Sequence, residues 1–409
     1  MQLISCATIG GNYQNYAHLY TNTDQVVDPE YIIYHNEVDS SSVYFKINAS
    51  KILYTRKSKT SPYLGKVTFH YRVYDQVDSK HIKDSGSFCL EDQVQELNND
   101  VIRGQFKFDC KIGDYGLMKL FCTDINRDSK VEKHINLDKR SKQTAQFFLV
   151  KDHMGFPIFK NFVNKGQAIQ LESNLNSSEY IYIRHYDREF PMSLPPFTAS
   201  SNIPFDYVSE QINEFKVNQN GELKFNIPKD GFVHLQTDTL KNEGFTLFCF
   251  EDHFPTISTL ELMVKPTRYI CSKAEYDQLL NSELLKSAMD HFWKSKTGSK
   301  ERAKEIIRKY YNRVENANQH FTSYVEGWKT DRGMVSIIYG PPNVVSKSKD
   351  MEMWIYGDEN NVNSLSFVFN KMENPFSDND YKLQRSPMYR SSWYRAVDAW
   401  RSGRAYWIQ

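Results

Sequence analysis

The sequence is poor in residues that break regular structure and carries no excess charge of either sign. Its 409 residues include 14 Pro and 18 Gly, against 26 Tyr and 26 Phe. Because aromatic side chains favour the pleated surface of a strand, this composition predicts a mostly β protein. The 51 basic and 50 acidic side chains leave a formal charge of +1. This balance provides no global field to recruit nucleic acid, so we expect no nucleic-acid partner.

Long apolar runs and the common catalytic motifs are also missing. No run approaches the roughly 18 apolar residues that let a helix cross a bilayer. The chain contains no GxSxG, HExxH, P-loop or GxGxxG motif, and its six cysteines form no CxxC pair. Cys110 and Cys122 lie at apolar positions of alternating segments, which favours buried thiols. We therefore predict neither a metal nor a cofactor, and the sequence leaves any small-molecule ligand unspecified.

The first residues contain a pattern typical of a bacterial lipobox, in which Leu3 precedes Ser5 and Cys6. In such a pattern the peptidase cuts before the cysteine, whose thiol then carries a lipid anchor. The alternative is an ordinary thiol in a frayed terminus. We predict that residues 1–20 form a lipobox-like N-terminus and tether.

Strict alternation of apolar and polar residues marks several strands. It is clearest at 67–73, 106–112 and 223–227, where one face would be buried and the other wet. Further strands are predicted at 43–54, 117–123, 145–150, 167–172, 179–185, 232–236, 244–250 and 257–264. Many short strands separated by turn residues favour antiparallel β-sandwiches. We place one sandwich at 21–141 and a second at 142–266.

The pattern changes after Pro266. Apolar residues at helical spacing predict one helix over 274–293 and another after the N-cap residue Ser299. Strands are predicted at 334–339, 353–356 and 365–369. The fold class is thus mainly β, with a helical hairpin and a small antiparallel sheet forming an α+β domain at 267–409.

A polar motif joins the second helix to the strand predicted at 334–339. Gly327 permits a tight turn, Thr330 and Asp331 can bond nearby backbone, and Gly340 and Pro342 would end the strand. Here the sequence resembles the GWxTD-domain family of Bacteroidota envelope proteins, named for Gly327-Trp328-x-Thr330-Asp331. Further matching residues are Phe292-Trp293, Tyr310-Tyr311-x-Arg313-Val314-x-x-Ala317-Asn318, Tyr339-Gly340-x-Pro342, Glu352-x-Trp354-x-Tyr356 and Tyr389-Arg390-Ser391-Ser392-Trp393.

The resemblance covers the last third of the chain and implies an envelope protein. Many members of the family have lipoprotein-type N-termini, which supports lipidation of Cys6, and the family implies no defined activity. The order of a helix, a Gly-x-Pro turn, Trp354-x-Tyr356 and a Phe-rich strand is also similar to small lipoproteins of the outer-membrane barrel-assembly machinery.

The polar residues of the motif allow two interpretations. In an enzyme, Asp331 and Glu352 would be the acids of a site for envelope glycan or peptide. In a structural corner, Asp331 would bond turn amides, Arg332 would pair with Glu352, and Trp328 would fill the core. We favour the structural corner, because the motif contains no nucleophile–base pair and no metal set.

The C-terminal tail is the most polarised segment. From 381 to 409 it contains six basic side chains and one acid, interleaved with aromatic residues. Arg and Trp are enriched at interface hot spots. The candidate partner-binding residues are Arg390, Trp393, Arg395, Trp400, Arg401, Arg404 and Trp407. The alternative is that the tryptophans dock the tail onto its own domain while the arginines stay solvated.

The sequence therefore predicts a non-enzymatic, lipid-anchored protein of the outer membrane. It would be an accessory or scaffolding subunit of an assembly, secretion or transport complex, with an outer-membrane or periplasmic protein complex as its partner. The alternatives are an envelope-processing enzyme that uses Asp331 and Glu352, and a glycan-binding module.

Overall fold

The computed structural model describes residues 15–20, 27–75, 80–97, 100–173, 180–199, 206–218, 221–227, 230–358 and 364–406. In these ranges the chain forms two successive groups of antiparallel sheets, followed by a region of helices and one further sheet. The predicted fold class, mainly β with a C-terminal α+β domain, is thereby confirmed. None of the helices in these ranges has the length and apolar character needed to cross a membrane.

Seven strands form the first sandwich. They are β1 (Glu30–Tyr34), β2 (Ser40–Asn48), β3 (Tyr63–Tyr74), β4 (Ile82–Val94), β5 (Val101–Asp109), β6 (Tyr115–Asp124) and β7 (Ser129–Asp138). One sheet has the order β1-β2-β5 and the other β4-β3-β6-β7. Phe45 and Ile47 of β2 pack against Val67 and Phe69 of β3, so the two sheets share one core. Cys110 and Cys122 are buried free thiols, as their positions predicted.

The second sandwich repeats this division into sheets of three and four strands. Its strands are β8 (Phe148–Lys151), β9 (Ala168–Ser173), β10 (Tyr180–Tyr186), β11 (Gln211–Lys216), β12 (Glu222–Asn226), β13 (Gly231–Gln236) and β14 (Phe245–Cys249). The sheets have the orders β12-β9-β8 and β11-β10-β13-β14. Leu171 and Leu223 of the smaller sheet pack against Ile183 and Leu235 of the larger one.

The C-terminal region packs six helices against a four-stranded sheet. The helices are α1 (Leu260–Val264), α2 (Lys273–Leu280), α3 (Leu285–Thr297), α4 (Lys300–Phe321), α5 (Asp331–Tyr339) and α6 (Tyr389–Arg401). The strands, in spatial order, are β15 (Val344–Lys347), β16 (Met351–Tyr356), β17 (Leu365–Lys371) and β18 (Tyr381–Leu383). Helix α4 begins after the predicted N-cap Ser299, whose side chain accepts from the Arg302 amide at 3.3 Å.

Two segments predicted as strands, 257–264 and 334–339, contain helices instead. In the stretch 257–264, residues Leu260–Val264 form helix α1, and the Thr259 side chain caps its first turn by accepting from the Leu262 amide at 3.3 Å. The stretch 334–339 lies within α5, whose nine residues are all buried. Within 334–339 only Ser336 interrupts the apolar residues, so these six positions do not distinguish a helix from a strand. Short apolar runs are ambiguous for this reason.

The single helix predicted at 274–293 is also wrong, since the structure divides it into α2 and α3. The capping box formed by Ser272 and Glu275 starts α2, and Asn281 ends it. Leu280 and Leu284, two of the apolar residues on which the single helix was predicted, flank the break and are 53% and 74% exposed.

Contacts join the N-terminus and both sandwiches to the C-terminal region. Of the predicted tether, residues 15–20 are described, and they lie against β15: the Tyr16 amide donates to Val345 O at 2.9 Å. The Tyr16 ring also contacts His134 of β7, with 5.5 Å between centroids. Phe376, in the loop before β18, packs on Tyr186 and Phe232 of the second sandwich.

Candidate functional site

The polar motif forms the entry to helix α5. Residues Gly327–Lys329 form one 3₁₀ turn, and Thr330 is the N-cap of the helix. The Thr330 hydroxyl donates to Gly327 O at 2.8 Å and accepts from the Gly333 amide at 3.0 Å. The predicted turn is correct, but it leads into a helix. One threonine hydroxyl thus closes the turn and satisfies a helix donor.

The two glycines of this corner are required by close backbone contacts. A Cβ at Gly327 would lie 1.9 Å from Ala317 O of α4, and one at Gly333 would lie 1.9 Å from Gly327 O. Any larger residue at either position would collide with backbone. The corner is therefore packed directly against α4 without an intervening side-chain layer.

Trp328 is held by its backbone as well as by its ring. Its indole is 6% exposed within the C-terminal core. The Trp328 amide donates to Asn318 Oδ1 at 3.0 Å, and the Tyr269 hydroxyl donates to Trp328 O at 3.0 Å. Trp328 therefore fills the core, as the structural interpretation expected.

Asp331 bonds other segments of the chain rather than the turn amides that the structural interpretation expected. Its Oδ2 accepts from the Leu383 amide of β18 at 2.9 Å, and its Oδ1 pairs with Arg385. Arg385 in turn donates to Leu194 O at 2.7 Å and Pro195 O at 2.8 Å. Thr330 already accepts from the Gly333 amide at the start of α5. Asp331 links the helix to the sheet and to the 194–195 loop.

Arg332 and Glu352 form the predicted pair at the centre of a buried polar cluster. Arg332 Nη1 lies 3.2 Å from Glu352 Oε1, and the two side chains are 2% and 0% exposed. Lys347 Nζ lies 2.9 Å from the same oxygen, and the Trp354 indole donates to Glu352 Oε2 at 3.2 Å. The Tyr20 hydroxyl adds a hydrogen bond to Glu352 Oε1 at 2.7 Å. We call these five residues the Glu352 cluster.

The charges of the Glu352 cluster keep its carboxylate ionised. Burial would raise the pKa of Glu352, but the charges of Arg332 and Lys347 outweigh it and lower that pKa to about 2. Burial, followed by the charge of Glu352, raises the pKa of the Tyr20 hydroxyl. Tyr20 therefore stays protonated and acts as a donor. Arg332 also lies over the Tyr381 ring, 4.0 Å from its centroid, and donates to Asn379 O at 2.9 Å.

The opposite end of α5 is held by side chains that donate to its last carbonyls. Arg313 Nη1 donates to Ile337 O at 3.0 Å and Ile338 O at 3.2 Å, and the Trp400 indole donates to Ile338 O at 3.0 Å. Such donors complement the negative end of the helix dipole.

Gly340 terminates α5 with φ +92°, and the Tyr356 hydroxyl donates to its carbonyl at 2.9 Å. A Cβ at Gly340 would lie 2.8 Å from Arg313 Nη2. Pro342 follows as a buried residue before β15. The predicted stop is thus correct, although the element that it ends is a helix.

The tryptophans of the tail belong to the core. Trp393 and Trp400 are 3% and 0% exposed, so they are not at the surface that a partner would contact. Arg401 pairs with Glu275 of α2 at 2.6 Å. Arg390, Arg395 and Arg404 are exposed. Cys6 and Trp407 lie outside the described residues.

Taken together, the polar atoms of the motif are committed to internal partners. Asp331 and Glu352 face basic side chains and backbone or side-chain donors. The described residues contain no group of three or more His, Cys, Asp or Glu placed to hold a metal ion.

Five residues of the site had no role predicted from the sequence. They are Tyr20, Arg313, Asn318, Lys347 and Arg385. Arg313 carried a signal, because it lies beside the apolar stripe of α4 at Tyr310, Val314 and Ala317.

Comparisons with known proteins agree with the motif. Residues 231–402 match the model of the GWxTD domain family. The match begins in β13, upstream of the boundary predicted at 267. Among curated proteins, none matches this chain.

Among solved structures, the crystal structure of red sea bream transglutaminase is 9% identical and covers 55% of this chain and 31% of its own, with a TM-score of 0.17. At that score the similarity indicates neither a shared fold nor a shared activity.

Proposed function

We propose that the protein is a non-enzymatic, lipid-anchored envelope protein of a Bacteroidota-like bacterium. Its role would be that of an accessory subunit of an outer-membrane assembly, secretion or transport complex. The match of residues 231–402 to the GWxTD domain family supports this proposal. The observation that carries the proposal is the internal commitment of Asp331 and Glu352. A catalytic acid needs access to substrate, whereas Glu352 is 0% exposed and ion-paired. This arrangement supports a structural role for the motif.

The position of the N-terminal segment supports the anchoring part of the proposal. Asn15 is fixed to β15, since its Oδ1 accepts from the Val345 amide at 3.0 Å and its Nδ2 donates to Asn343 O at 2.9 Å. Cys6 lies nine positions before Asn15, and an extended chain spans at most about 3.6 Å per residue. A lipid on Cys6 would therefore keep Asn15, the residue fixed to β15, within roughly 32 Å of the anchored cysteine.

A mixed apolar and basic surface lies on the outside of α6. Met388 is 77% exposed and Tyr394 is 52% exposed, next to the exposed Arg390 and Arg395. The loop before residue 199 extends this surface, since Phe197 packs on Tyr394 with 5.5 Å between centroids. Exposed Tyr and Arg side chains are typical of protein interfaces. We assign the partner contact to this surface, which we call the α6 surface.

The test is a pull-down of the tagged full-length protein from gently solubilised outer membranes, with mass spectrometry of the eluate and of the N-terminus. We expect an acylated Cys6 and stoichiometric membrane proteins. The variant C6S should leave the membrane fraction, and the double variant R390E/R395E should lose the co-purifying proteins while staying folded. The matched control is R72E, since Arg72 is an exposed arginine on β3 of the first sandwich. An unmodified protein that elutes without partners would contradict both the anchor and the adaptor role.

A further inference from the structure

A cavity lies between the second sandwich and the loop before β18 of the C-terminal region, away from the motif at 327–331. Its volume is about 330 Å³, at the lower end of the range for small-molecule sites. The floor belongs to the larger sheet of the second sandwich. Pro375 and Phe376, from the loop before β18, cover one side. Clefts between packed units are common positions for ligand sites.

The strand register places one row of side chains across the floor. Arg184 of β10 is paired with Ile212 of β11 on one side and with His234 of β13 on the other. Their neighbours in sequence, such as Ile183 and Leu235, point to the opposite face and fill the sandwich core. Arg184 is therefore the charged centre of a row that is otherwise apolar or neutral.

The segment that forms the second wall is fixed in place. The Tyr186 hydroxyl donates to Tyr207 O at 2.8 Å, and Arg188 Nη1 donates to Val208 O at 2.8 Å. Three exposed apolar side chains surround the entrance: Tyr207, Val208 and Ile212 are 40%, 70% and 49% exposed. The cavity thus has a preformed wall and an apolar rim.

The polar groups of the floor are largely satisfied, with the exception of the Arg184 charge. His234 bonds Thr246 Oγ1 at 2.9 Å and Asn242 O at 3.0 Å. Burial lowers the pKa of His234 to about 4, so the ring is neutral at pH 7. Gln236 Nε2 donates to Lys241 O at 2.6 Å.

Arg184 contacts two neutral acceptors, Gln236 Oε1 at 2.7 Å and Thr239 O at 3.3 Å. No acidic residue lines the cavity in the described part of the chain. Ser209, on the wall, has a solvent-shielded hydroxyl without a hydrogen-bond partner there. The half-buried Arg184 guanidinium faces no acidic side chain of the lining, and the Ser209 hydroxyl has no partner among the described residues. An anion in the cavity could accept hydrogen bonds from both groups.

We propose that this cavity binds a small organic carboxylate with an apolar body. Arg184 would hold the carboxylate by charge-assisted hydrogen bonds, and the rim residues Tyr207, Val208 and Ile212 would cover the apolar part. The apolar rim favours this class over inorganic anions, which gain nothing from apolar contact. The inference is independent of the proposed adaptor function.

The test is calorimetric titration of the full-length protein with phenylacetate as the probe, in parallel with 2-phenylethanol, acetate and inorganic phosphate. We expect phenylacetate to bind more tightly than all three, because only it offers both the charge and the apolar body. R184Q should weaken binding at least about tenfold, the usual effect of losing one charge-assisted hydrogen bond.

A second variant guards against a folding defect in R184Q. V208D places a negative charge at the exposed rim and should weaken binding by a comparable factor through repulsion. Its matched control is V38D, since Val38 is 65% exposed on the first sandwich, and R72Q is the control for R184Q. The proposal is overturned if phenylacetate fails to bind below about 10 mM, if R184Q or V208D binds like the unmodified protein, or if phosphate binds as tightly as phenylacetate.

Discussion

Tyr20 donates its phenolic hydrogen to Glu352 at 2.7 Å, across 332 residues of chain. The same hydroxyl accepts from Lys347 Nζ at 2.9 Å. The N-terminal segment is thus packed into the C-terminal region, where Tyr20 completes the hydrogen bonds of the carboxylate that pairs with Arg332. All six tryptophans lie in the last third of the sequence, so tryptophan fluorescence reports unfolding of this domain rather than of the sandwiches.

We expect Y20F to destabilise the GWxTD domain. The ring would remain packed on Phe321 and Trp354, while Glu352 would lose one hydrogen bond. A bond to a charged group contributes about 1.5–3 kcal/mol. Urea unfolding followed by tryptophan fluorescence measures the change, and Y394F is the control because Tyr394 is 52% exposed. Equal stability of Y20F and Y394F would show that the Tyr20 contact contributes nothing.

D331N separates the structural interpretation of the motif from the catalytic one. The amide would still accept from the Leu383 backbone but would lose the ion pair with Arg385. We expect a loss of about 1–3 kcal/mol in the free energy of unfolding, measured in the same urea assay. The control is D290N, at an exposed position of α3.

If D331N kept full stability while a glycan- or peptide-cleaving activity of the unmodified protein disappeared, Asp331 would be catalytic. The adaptor proposal would then fail, since its main argument is that this carboxylate is committed to the fold.

We expect G327A to be among the most destabilising single substitutions in the chain. The added methyl group would lie 1.9 Å from Ala317 O, and the backbone of α4 would have to move. Strain of this kind belongs to the large-effect class, above about 4 kcal/mol. The control is G298A, where a Cβ meets nothing within 4 Å although φ is +73°.

Limited proteolysis of the two alanine variants gives the comparison. G298A should be cleaved slightly faster than the unmodified protein, and G327A should lose the protease-resistant GWxTD domain. Similar resistance of the two variants would contradict the close packing of the corner on α4.

The sequence was sufficient to predict those parts of the fold in which one face is wet. Alternation at 67–73 and 223–227 marks true strands of the two sandwiches, because each has a polar side. It failed at α5, where Val335, Ser336 and Ile337 are all buried and no face distinguishes a helix from a strand.

In the site, the pair of Arg332 and Glu352 was predictable, because each residue lies in an apolar segment and a buried charge without a partner costs free energy. The participation of Tyr20 was not, because sequence carries no signal for a contact between residues so far apart. The burial of Trp393 and Trp400 was not predictable either. It follows from the packing of α6 on α4 and α5. A helix rich in Arg and Trp has the same sequence pattern whether it packs on its own domain or on a partner.

Glu352 makes the stability of the GWxTD domain depend on acidic pH. Its pKa falls from an ordinary value of 4.5 to about 2 in the folded protein, where Arg332 and Lys347 outweigh the effect of burial. As the pH falls, the unfolded chain takes up this proton first, so the contribution of Glu352 is present above pH 4.5 and is lost between pH 4.5 and about 2.

E352Q should remove this contribution at every pH. It leaves Arg332 and Lys347 without their counter-charge, which costs about 3–5 kcal/mol at neutral pH, and its stability should fall less steeply below pH 4.5 than that of the unmodified protein. The control E283Q, at an exposed position, should leave both the stability and the slope of stability against pH unchanged.

Carbon-13 NMR of the glutamate carboxyl groups gives a second measurement, which uses the unmodified protein and does not depend on the folding of a variant. The Glu352 resonance should titrate at a pH well below that of exposed glutamates. A Glu352 resonance that titrates near pH 4.5 would mean that the two cations do not stabilise its charge, and the Glu352 cluster would then not be the ionic centre that joins the N-terminal segment to the domain.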